Sequence, residues 1–493
     1  MIRGGRNRSG DDTGRREEHA PDARAYGVVM SVELPPPSAS RTSLPSGGGG
    51  VPRPSTALLT DRYELTMLQA ALADGTARRR CVFEVFSRRL PPGRRYGVVA
   101  GTGRVLEALA DFRFGEEELS FLSRHGVVDT DTLRWLEGYR FGGSITGYPE
   151  GETFLPGSPV MVVEGTFAEA LLLETLVLSV LNYDSAVASA ASRMTSAAVD
   201  RPCLEMGSRR AHELAAVAAA RAAVVAGFAG TSNLEAGRRY GLRTIGTAAH
   251  SYTLLHDDER AAFRAQVAAQ GVGTTLLVDT YDVPQGVRNA VEVAGPGLGA
   301  VRLDSGDLTQ LAQEVREQLD ALGATGTRIV VSSDLDEFAI AALAVAPVDS
   351  YGVGTSVVTG SGAPTCGMVY KLVAREGADG SLLPVAKASA KKGSVGGRKT
   401  AARRLDGEGR AVEEVVVTGR DEAVATWSPH DPALRPLLVP LVTDGAVDPR
   451  WTGESGVQTA VERHRRSRAE LPRGARRLSH GDPAIPTVTL RLE

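Results

Sequence analysis

A short apolar run that ends in polar residues recurs along the second half of the chain. The groups at these ends are His250, Asp279, Asp304, Asp334 and the turn at Gly354, and the steps between them are 29, 25, 30 and 20 residues. One strand followed by one helix occupies about that length. Parallel strands end at the same edge of a sheet, so these groups are predicted to meet at one mouth if the strands close into a barrel.

Two earlier runs, Cys203–Arg210 and Ala223–Ala229, raise the number of candidate barrel strands to seven, and Met368–Val373 is a candidate for an eighth. Before them, Phe141–Glu164 is typical of short strands joined by turns, and Thr166 begins a capping-box pattern that predicts a buried helix. The predicted fold class is therefore α/β, with a barrel and a second domain rich in β structure.

The domain boundaries follow from composition. Residues 1–54 are rich in Arg, Gly, Ser and Pro and are predicted to be a disordered extension, with a misplaced start before Met30 as the alternative. Residues 55–198 form the predicted N-terminal domain and residues 199–373 the barrel. Residues 374–493 return to short strands and are predicted to complete the first domain.

Composition excludes several classes of function. The 493 residues carry a net charge of −3, which argues against nucleic-acid or anionic-membrane partners. The three cysteines lack metal-ligand spacing, which fits a reducing cytoplasm. The apolar run from Ala170 to Leu181 is too short to span a bilayer, and no signal peptide is evident. We expect a cytoplasmic protein.

The run Tyr351–Ser356 carries the clearest phosphate signal, because glycines allow backbone N–H groups to approach an oxyanion. Arg302 and Asp304 lie two residues apart on one predicted strand and therefore point to the same side. A ligand site and a structural ion pair are equally good explanations of that pair.

His250 is the preferred catalytic histidine. Of the eight histidines, only His250, His212 and His256 lie near the predicted mouths, and the last two fall in helix-like segments. Asp279 ends the neighbouring strand and is predicted to fix the tautomer of the His250 ring.

Lysine use is unusual. All five lysines fall within residues 371–399, and the remaining 51 of the 56 basic residues (56 − 5) are arginine. Lys387, Lys391 and Lys392 suggest a mobile loop for an anionic ligand such as phosphate or ATP. Chance clustering on a solvated loop is the alternative.

Taken together, these motifs resemble the nicotinate phosphoribosyltransferase family, from about residue 58 to near the C-terminus. The matching stretches are Leu59–Tyr63, Glu205–Ala211, Gly246–His250, Arg302–Asp307 and Tyr351–Thr355. The resemblance implies a type II phosphoribosyltransferase, in which an N-terminal α/β domain packs on an irregular, incomplete α/β barrel. It implies the joining of nicotinate to 5-phosphoribosyl 1-diphosphate, with Mg²⁺ as cofactor and ATP as co-substrate.

The resemblance also implies residue roles. His250 would be phosphorylated by ATP, with Asp279 and Asp304 as catalytic partners. Active sites shared in a homodimer would bring Asp61 and Tyr63 to the partner subunit's substrate, whereas spacing alone favours a helix cap and a boundary aromatic residue. The remaining substrate-binding residues would be Arg209 and Arg302 for nicotinate, Asp334 for the ribose hydroxyls, and Gly354 and Thr355 for the 5′-phosphate.

Alternatives remain open from sequence. The metal ligands are not identified. A transferase acting on nicotinamide or quinolinate shares the histidine and the Arg302–Asp304 strand, although Glu205–Arg210 favours the nicotinate branch. A catalytically silent nucleotide-binding protein is the non-enzymatic alternative, and the intact His250, Asp279, Arg302 and Asp304 argue against it.

Overall fold

The structure is a computed structural model that describes residues 54–387 and 395–493. The strands are β1 (Arg80–Ser87), β2 (Gly97–Val98), β3 (Ser144–Gly147), β4 (Thr153–Phe154), β5 (Met161–Thr166), β6 (Cys203–Glu205), β7 (Gly230–Thr231), β8 (Thr275–Leu277), β9 (Ala300–Leu303), β10 (Arg328–Ser333), β11 (Ser350–Val353), β12 (Met368–Glu376), β13 (Leu382–Pro384), β14 (Thr400–Leu405), β15 (Ala411–Thr418), β16 (Leu434–Pro436), β17 (Val439–Thr443), β18 (Ala446–Val447) and β19 (Thr487–Arg491).

The α-helices pack around these sheets. They are α1 (Arg62–Ala73), α2 (Thr102–Ala110), α3 (Glu116–Arg124), α4 (Thr130–Glu137), α5 (Phe167–Leu171), α6 (Glu174–Ala197), α7 (Glu213–Val225), α8 (Leu234–Tyr240), α9 (His250–Leu254), α10 (Glu259–Gln270), α11 (Val283–Ala294), α12 (Leu308–Ala321), α13 (Glu337–Ala342), α14 (Thr355–Val358), α15 (Asp421–Ala425) and α16 (Gly453–Glu470).

A six-stranded parallel sheet forms a curled half-barrel, with the order β7-β6-β11-β10-β9-β8. All five pairings are parallel, and the strands alternate with helices along the chain. The apolar strand residues, such as Val301, Ile329 and Val331, are fully buried beneath those helices. The α/β class is thus confirmed, and the strand ends lie at one edge as the spacing predicted.

The prediction of seven strands was wrong by one in this sheet. The segment that begins at Thr244 contributes only a single parallel bridge, to Thr231 at the end of β7. The Ile245 N–H still donates to the Thr231 carbonyl, but after it the chain forms no strand, and the Thr247 hydroxyl and the Ala248 carbonyl accept from the side chain of Arg302. The half-barrel is open between this segment and β8, and the opening is where His250 lies.

The predicted strand at Ala223–Ala229 was also wrong. Helix α7 continues to Val225, because the alanine-rich sequence favours a helix. Gly227 then adopts φ +100°, a conformation that suits glycine at a helix end. The strand of this unit, β7, follows at Gly230–Thr231.

The second large sheet contains seven strands in the order β13-β12-β1-β5-β3-β17-β18. The segment Met368–Val373 pairs here, antiparallel to β1, so it is not an eighth barrel strand. Strand β17 pairs with β3, so strands from both ends of the chain build one sheet. A four-stranded sheet, β16-β14-β15-β19, lies in the C-terminal part. The predicted domain boundaries themselves remain predictions.

Helix α6 joins the two large sheets. Its Asn182 side chain accepts hydrogen bonds from the backbone of Cys366 and Met368, and Tyr183 donates to the carbonyl of Val358. Within the described residues, one stretch, Phe167–Ala197, is apolar and long enough to cross a membrane by composition, yet 67% of its most apolar window is buried inside the protein. That burial is typical of a core helix in a soluble protein.

A glycine-rich turn after β2, which includes Gly101 and Gly103, binds a carboxylate of the protein itself. The backbone N–H groups of Gly101 and Gly103 donate to the carboxylate of Glu150, at 2.6 and 3.2 Å. The same carboxylate accepts from the buried Arg221, at 2.7 Å for one of the two contacts. An internal carboxylate therefore occupies this glycine turn.

Two predictions fall on parts of the chain that the structure leaves undescribed. The predicted extension at 1–54 lies outside the described residues except for residue 54, and so do Lys391 and Lys392. Lys387 is described and exposed. Of the other lysines, Lys371 lies 3.6 Å from Glu174, and the buried Lys399 donates to Glu84 at 2.6 Å. Internal ion pairs therefore explain two of the five.

Candidate active site

The carboxyl edge of the parallel sheet carries a network centred on the side chain of Arg302. Its Nε donates to the Ser332 hydroxyl at 2.7 Å, and one terminal nitrogen donates to Asp304 at 2.9 Å. The other terminal nitrogen donates to the Thr247 hydroxyl and the Ala248 carbonyl, at 3.1 and 3.2 Å. Strands β9 and β10 are thereby joined to the irregular segment that precedes His250.

His250 begins helix α9 at the opening of the half-barrel, with 41% of its side chain exposed. Its Nδ1 lies 3.1 Å from the Thr280 hydroxyl, and its Nε2 lies 3.9 Å from Asp304 Oδ2. The imidazole thus has a hydroxyl on one nitrogen and a carboxylate facing the other.

Asp279 makes different contacts from those predicted. Its Oδ2 accepts from the Asp304 N–H and the Ser305 hydroxyl, both at 2.8 Å, while its Oδ1 is buried without a hydrogen-bond partner among the described residues. The contacts of its carboxylate therefore brace the neighbouring strand end rather than the His250 ring. Thr280, one residue later, takes the position predicted for Asp279.

Asp304 is held as a carboxylate. Burial raises the pKa of Asp304, but the hydrogen bond from Ser332 and the charge of Arg302 lower it by more, so that the pKa lies below its usual value. The Asp304 side chain is one-third exposed. An anion is thus available beside His250 at neutral pH.

The predicted phosphate turn lies at the end of β11. Gly354 has φ −111° and precedes the short helix α14, and Thr355 is exposed. The glycine that close packing requires in this region is Gly207, because a Cβ there would lie 2.9 Å from the Gly354 carbonyl and still closer to Val358. Gly207 therefore allows the turns after β6 and β11 to pack together.

Glu205 is a buried residue at this edge whose role spacing did not reveal. It accepts from the Gly207 N–H at 2.5 Å and from the Thr231 hydroxyl, which joins the ends of β6 and β7. Burial raises its pKa above the usual value. Arg209 and Asp334, from the turns after β6 and β10, are exposed at the same edge.

Asp61 and Tyr63 lie elsewhere in the fold, at the start of α1. Asp61 occupies the N-cap position of α1, but its side chain makes no capping hydrogen bond. The carboxylate therefore does not cap the helix, which is the role that spacing alone favoured. Tyr63 is 44% exposed. Partial burial and the nearby carboxylates of Glu174 and Glu64 raise its pKa to about 12. The contacts of Tyr63 go to these residues rather than to the His250 network.

Ser332, Thr280 and Thr247 take part in the site but were absent from the predicted set. Their sequence signal is weak, because hydroxyl residues are common beside strand ends. Ser332 lies on β10, two residues before Asp334. Because side chains two residues apart on a strand point to the same side, this spacing was the one sequence clue that Ser332 belongs to the site.

Comparison with known proteins identifies the family. Residues 58–182 match the model of the nicotinate phosphoribosyltransferase (NAPRTase) N-terminal domain. The nicotinate phosphoribosyltransferase pncB1 of Mycobacterium tuberculosis is 56% identical over 465 residues, which cover 92% of this chain and 99% of that protein. The chain belongs to the nicotinate phosphoribosyltransferase family. An alignment of that extent necessarily includes most of both large sheets.

More distant members of the nicotinate phosphoribosyltransferase family agree with this assignment. The Bacillus subtilis nicotinate phosphoribosyltransferase is 38% identical over 381 residues, covering 75% of this chain and 77% of that protein. The crystal structure of human nicotinic acid phosphoribosyltransferase superposes with a TM-score of 0.75 at 26% identity, covering 87% of this chain and 97% of that one.

Proposed function

We propose that this chain is a nicotinate phosphoribosyltransferase of NAD salvage whose turnover is coupled to ATP hydrolysis through phosphorylated His250. It joins nicotinate to 5-phosphoribosyl 1-diphosphate and releases nicotinate mononucleotide and diphosphate. The observation that best supports the coupling is the half-exposed His250 ring at the opening of the half-barrel, with Thr280 at one nitrogen and Asp304 facing the other. An oriented, accessible imidazole is suited to accept a phosphoryl group.

The transfer step forms a bond from the nicotinate ring nitrogen to the anomeric carbon while the bond from that carbon to diphosphate breaks. Positive charge develops on the sugar and negative charge on the leaving group, so nearby cations and donors lower the barrier. Gly354 and Thr355 are proposed to hold the 5′-phosphate and Asp334 the ribose hydroxyls. Their exposure at the same edge as Asp304 supports this assignment.

Arg209 and Arg302 are proposed to contribute unequally to the binding of nicotinate. Four hydrogen bonds already occupy the guanidinium of Arg302, which leaves it little capacity for a ligand carboxylate. Arg209 is exposed on the turn after β6. Arg209 is therefore the better candidate for the planar nicotinate carboxylate, and Arg302 holds the segment that carries His250.

Mg²⁺ is the proposed metal. The described residues contain no group of three or more His, Cys, Asp or Glu side chains placed to hold a metal ion. Mg²⁺ commonly uses one or two carboxylates together with substrate phosphates and water, so a site completed by diphosphate fits this donor set. The unpartnered buried Oδ1 of Asp279 is the protein oxygen proposed to serve it. When bound, the ion stabilises the charge of the leaving diphosphate.

A homodimer with shared active sites is proposed because two apolar surfaces of the chain are uncovered. The first surrounds the mouth of the half-barrel and comprises Leu214, Leu234, Leu254, Leu255 and Tyr281, each 58–78% exposed. The second lies at α1 and comprises Leu58, Leu59, Tyr63 and Met67, each 38–60% exposed. Apolar groups gathered in this way mark interaction sites, and mutual docking would cover both and bring Tyr63 to the partner subunit's mouth.

Shared sites make a specific prediction for mixed variants. Tyr63→Ala and His250→Ala homodimers each have two defective sites, whereas a mixed dimer has one site with both residues intact. After subunit exchange in an equal mixture, about a quarter of the wild-type number of sites is restored. We expect ATP-stimulated product formation to rise on mixing, measured by the rate of nicotinate mononucleotide release. Additive activities without any gain would contradict shared sites.

The finer architecture is proposed to follow the family: a first domain built from residues 55–198 and completed by residues 374–493, packed on an incomplete barrel at 199–373. Pairing of β17 with β3 supports the contribution of the C-terminal segment, whereas pairing of β12 with β1 moves residues 368–373 from the predicted barrel to the first domain. A cytoplasmic location is proposed as well, and the buried free thiols of Cys81, Cys203 and Cys366 fit a reducing compartment.

The proposed function is tested by a side-by-side assay of nicotinate, nicotinamide and quinolinate, each with 5-phosphoribosyl 1-diphosphate and Mg²⁺, with and without ATP. We expect turnover of nicotinate, stimulated by ATP. Turnover of nicotinamide or quinolinate in its place would contradict the substrate assignment. Equal rates with and without ATP would contradict the coupling and leave the substrate assignment intact.

A further inference from the structure

We propose that Ser332 is a positioning residue that fixes the Asp304 carboxylate, so that one of its oxygens stays directed at His250. The inference deepens the proposed function and rests on its ATP coupling. Ser332 lies on β10, which pairs directly with β9, the strand that Asp304 follows. The segment that carries the histidine lies beyond β9 and β8, across the opening of the half-barrel.

The hydroxyl of Ser332 is both an acceptor and a donor. It accepts from Arg302 Nε at 2.7 Å and donates its own proton to Asp304 Oδ1 at 2.6 Å. Arg302 also donates directly to the same Oδ1, at 2.9 Å. Two donors therefore meet on one oxygen of Asp304, and the other oxygen, Oδ2, is the one that faces His250 Nε2 at 3.9 Å.

The position of the hydroxyl is set by packing. Ser332 is 4% exposed, and β10 is paired on both sides, with β9 and β11. A Cβ at Gly352 on the neighbouring strand would lie 3.0 Å from Ser332 Cβ, which shows how little space surrounds this side chain. A buried hydroxyl that both accepts and donates cannot be replaced by an aliphatic group without leaving its partners unsatisfied.

The consequence for the reaction lies in the orientation of Asp304. If the hydroxyl is lost, Oδ1 keeps one donor, Arg302 Nε loses its acceptor, and the carboxylate can rotate about its side-chain bonds. Oδ2 then spends less time facing His250, which slows the steps in which the imidazole changes its charge. The substrate contacts proposed for Arg209, Gly354 and Thr355 are on other strands and do not depend on this bond.

The test compares Ser332→Ala and Ser332→Cys with Ser333→Ala, in the full chain. Alanine is smaller than serine and cysteine slightly larger, and cysteine is only a weak donor, so a loss that both variants share is due to the hydrogen bond rather than to packing. Ser333 is exposed at the end of the same strand and is the matched control. The measurements are kcat and the KM of nicotinate, with and without ATP, together with thermal unfolding to establish that each variant is folded.

We expect kcat with ATP to fall about 10- to 100-fold in both Ser332 variants, the scale of one lost hydrogen bond to a charged group. The KM of nicotinate should change less than about threefold, since uniform substrate binding is retained. Wild-type kcat in Ser332→Cys, a raised KM at unchanged kcat, or equal losses in Ser333→Ala would overturn the inference. If the wild-type protein is not stimulated by ATP, the coupling is wrong and Ser332 is judged on kcat without ATP by the same criteria.

Discussion

The His250→Ala variant is expected to make nicotinate mononucleotide at one slow rate, whether or not ATP is present. The imidazole is the proposed phosphoryl acceptor, and alanine offers no nucleophile in its place. In the presence of ATP the rate should fall on the order of 100-fold or more, which is typical when a positioned catalytic side chain is removed. The measurements are the initial rates with and without ATP, and the acid-labile phosphate retained on the protein after incubation with labelled ATP.

His256→Ala is the matched control for that experiment. His256 lies six residues further on, and its Nδ1 bonds to the backbone carbonyl of Tyr252 at 2.9 Å rather than to the strand-end network. We expect this variant to keep ATP stimulation and the labelled phosphate. ATP stimulation that persists in His250→Ala, or that disappears equally in His256→Ala, contradicts the assignment of His250.

The placement of the strand-end residues could be predicted from sequence, because it depends on two robust regularities. Buried parallel strands have nearly continuous apolar sequences, and their carboxyl ends share one edge. Asp304 and Gly354 therefore lie at the same edge of the sheet, although they are far apart in sequence. Arg302 and Asp304, for which the sequence left a ligand site and an ion pair equally open, form an ion pair, and Arg302 also braces the histidine segment. Their role toward a ligand stays a prediction.

The hydrogen-bond partner of His250 could not be predicted in this way. A strand end fixes the position of a residue to within a few ångströms, whereas a hydrogen bond depends on which of two successive residues turns inward. At this edge the Thr280 hydroxyl contacts His250, whereas the Asp279 carboxylate contacts the end of the next strand. Spacing also could not show that the chain would leave the ladder after Ile245, because the Ala248 carbonyl is bound there by the side chain of Arg302 from β9.

The opening of the half-barrel and the position of His250 beside it have a common physical cause. In a closed barrel, a seventh strand would satisfy its backbone on both sides and hold the following loop rigidly. Here the segment that precedes His250 has one bridge to Thr231 and two hydrogen bonds to Arg302. Few backbone bonds make a segment easier to move. The residue that is proposed to contact both ATP and 5-phosphoribosyl 1-diphosphate is thus carried by a segment that one bridge connects to the sheet.

The prediction with the largest expected effect on stability concerns Arg403, which is completely buried on β14. Its guanidinium donates to Glu152 at 2.9 Å and to Glu414 at 2.7 Å, and it also binds the Thr153 carbonyl. Burial raises the pKa of Glu152, but the charges of Arg403 and Arg435 lower it to about 2. One cation thus compensates carboxylates from distant parts of the chain, and the strands that they belong to depend on it.

Arg403→Ala is therefore expected to lower the free energy of unfolding by about 3–5 kcal/mol, because it leaves buried carboxylates without their main counter-charge. The neighbouring Arg404 supplies the control. Its side chain is 37% exposed and pairs with Glu413 and Asp431 at the surface, so Arg404→Ala should cost less than about 1 kcal/mol. Midpoints of urea unfolding measure both.

The pH dependence of Arg403→Ala distinguishes lost charge compensation from lost packing. Without the guanidinium, the folded-state pKa of at least one of these buried carboxyls rises above its unfolded value. The folded variant then binds a proton that the unfolded chain releases, so its stability falls as pH rises. We expect the difference between wild type and Arg403→Ala to be larger at pH 8 than at pH 5. A difference independent of pH would assign the loss to packing alone, and equal losses in Arg403→Ala and Arg404→Ala would show that burial of this network adds nothing to stability.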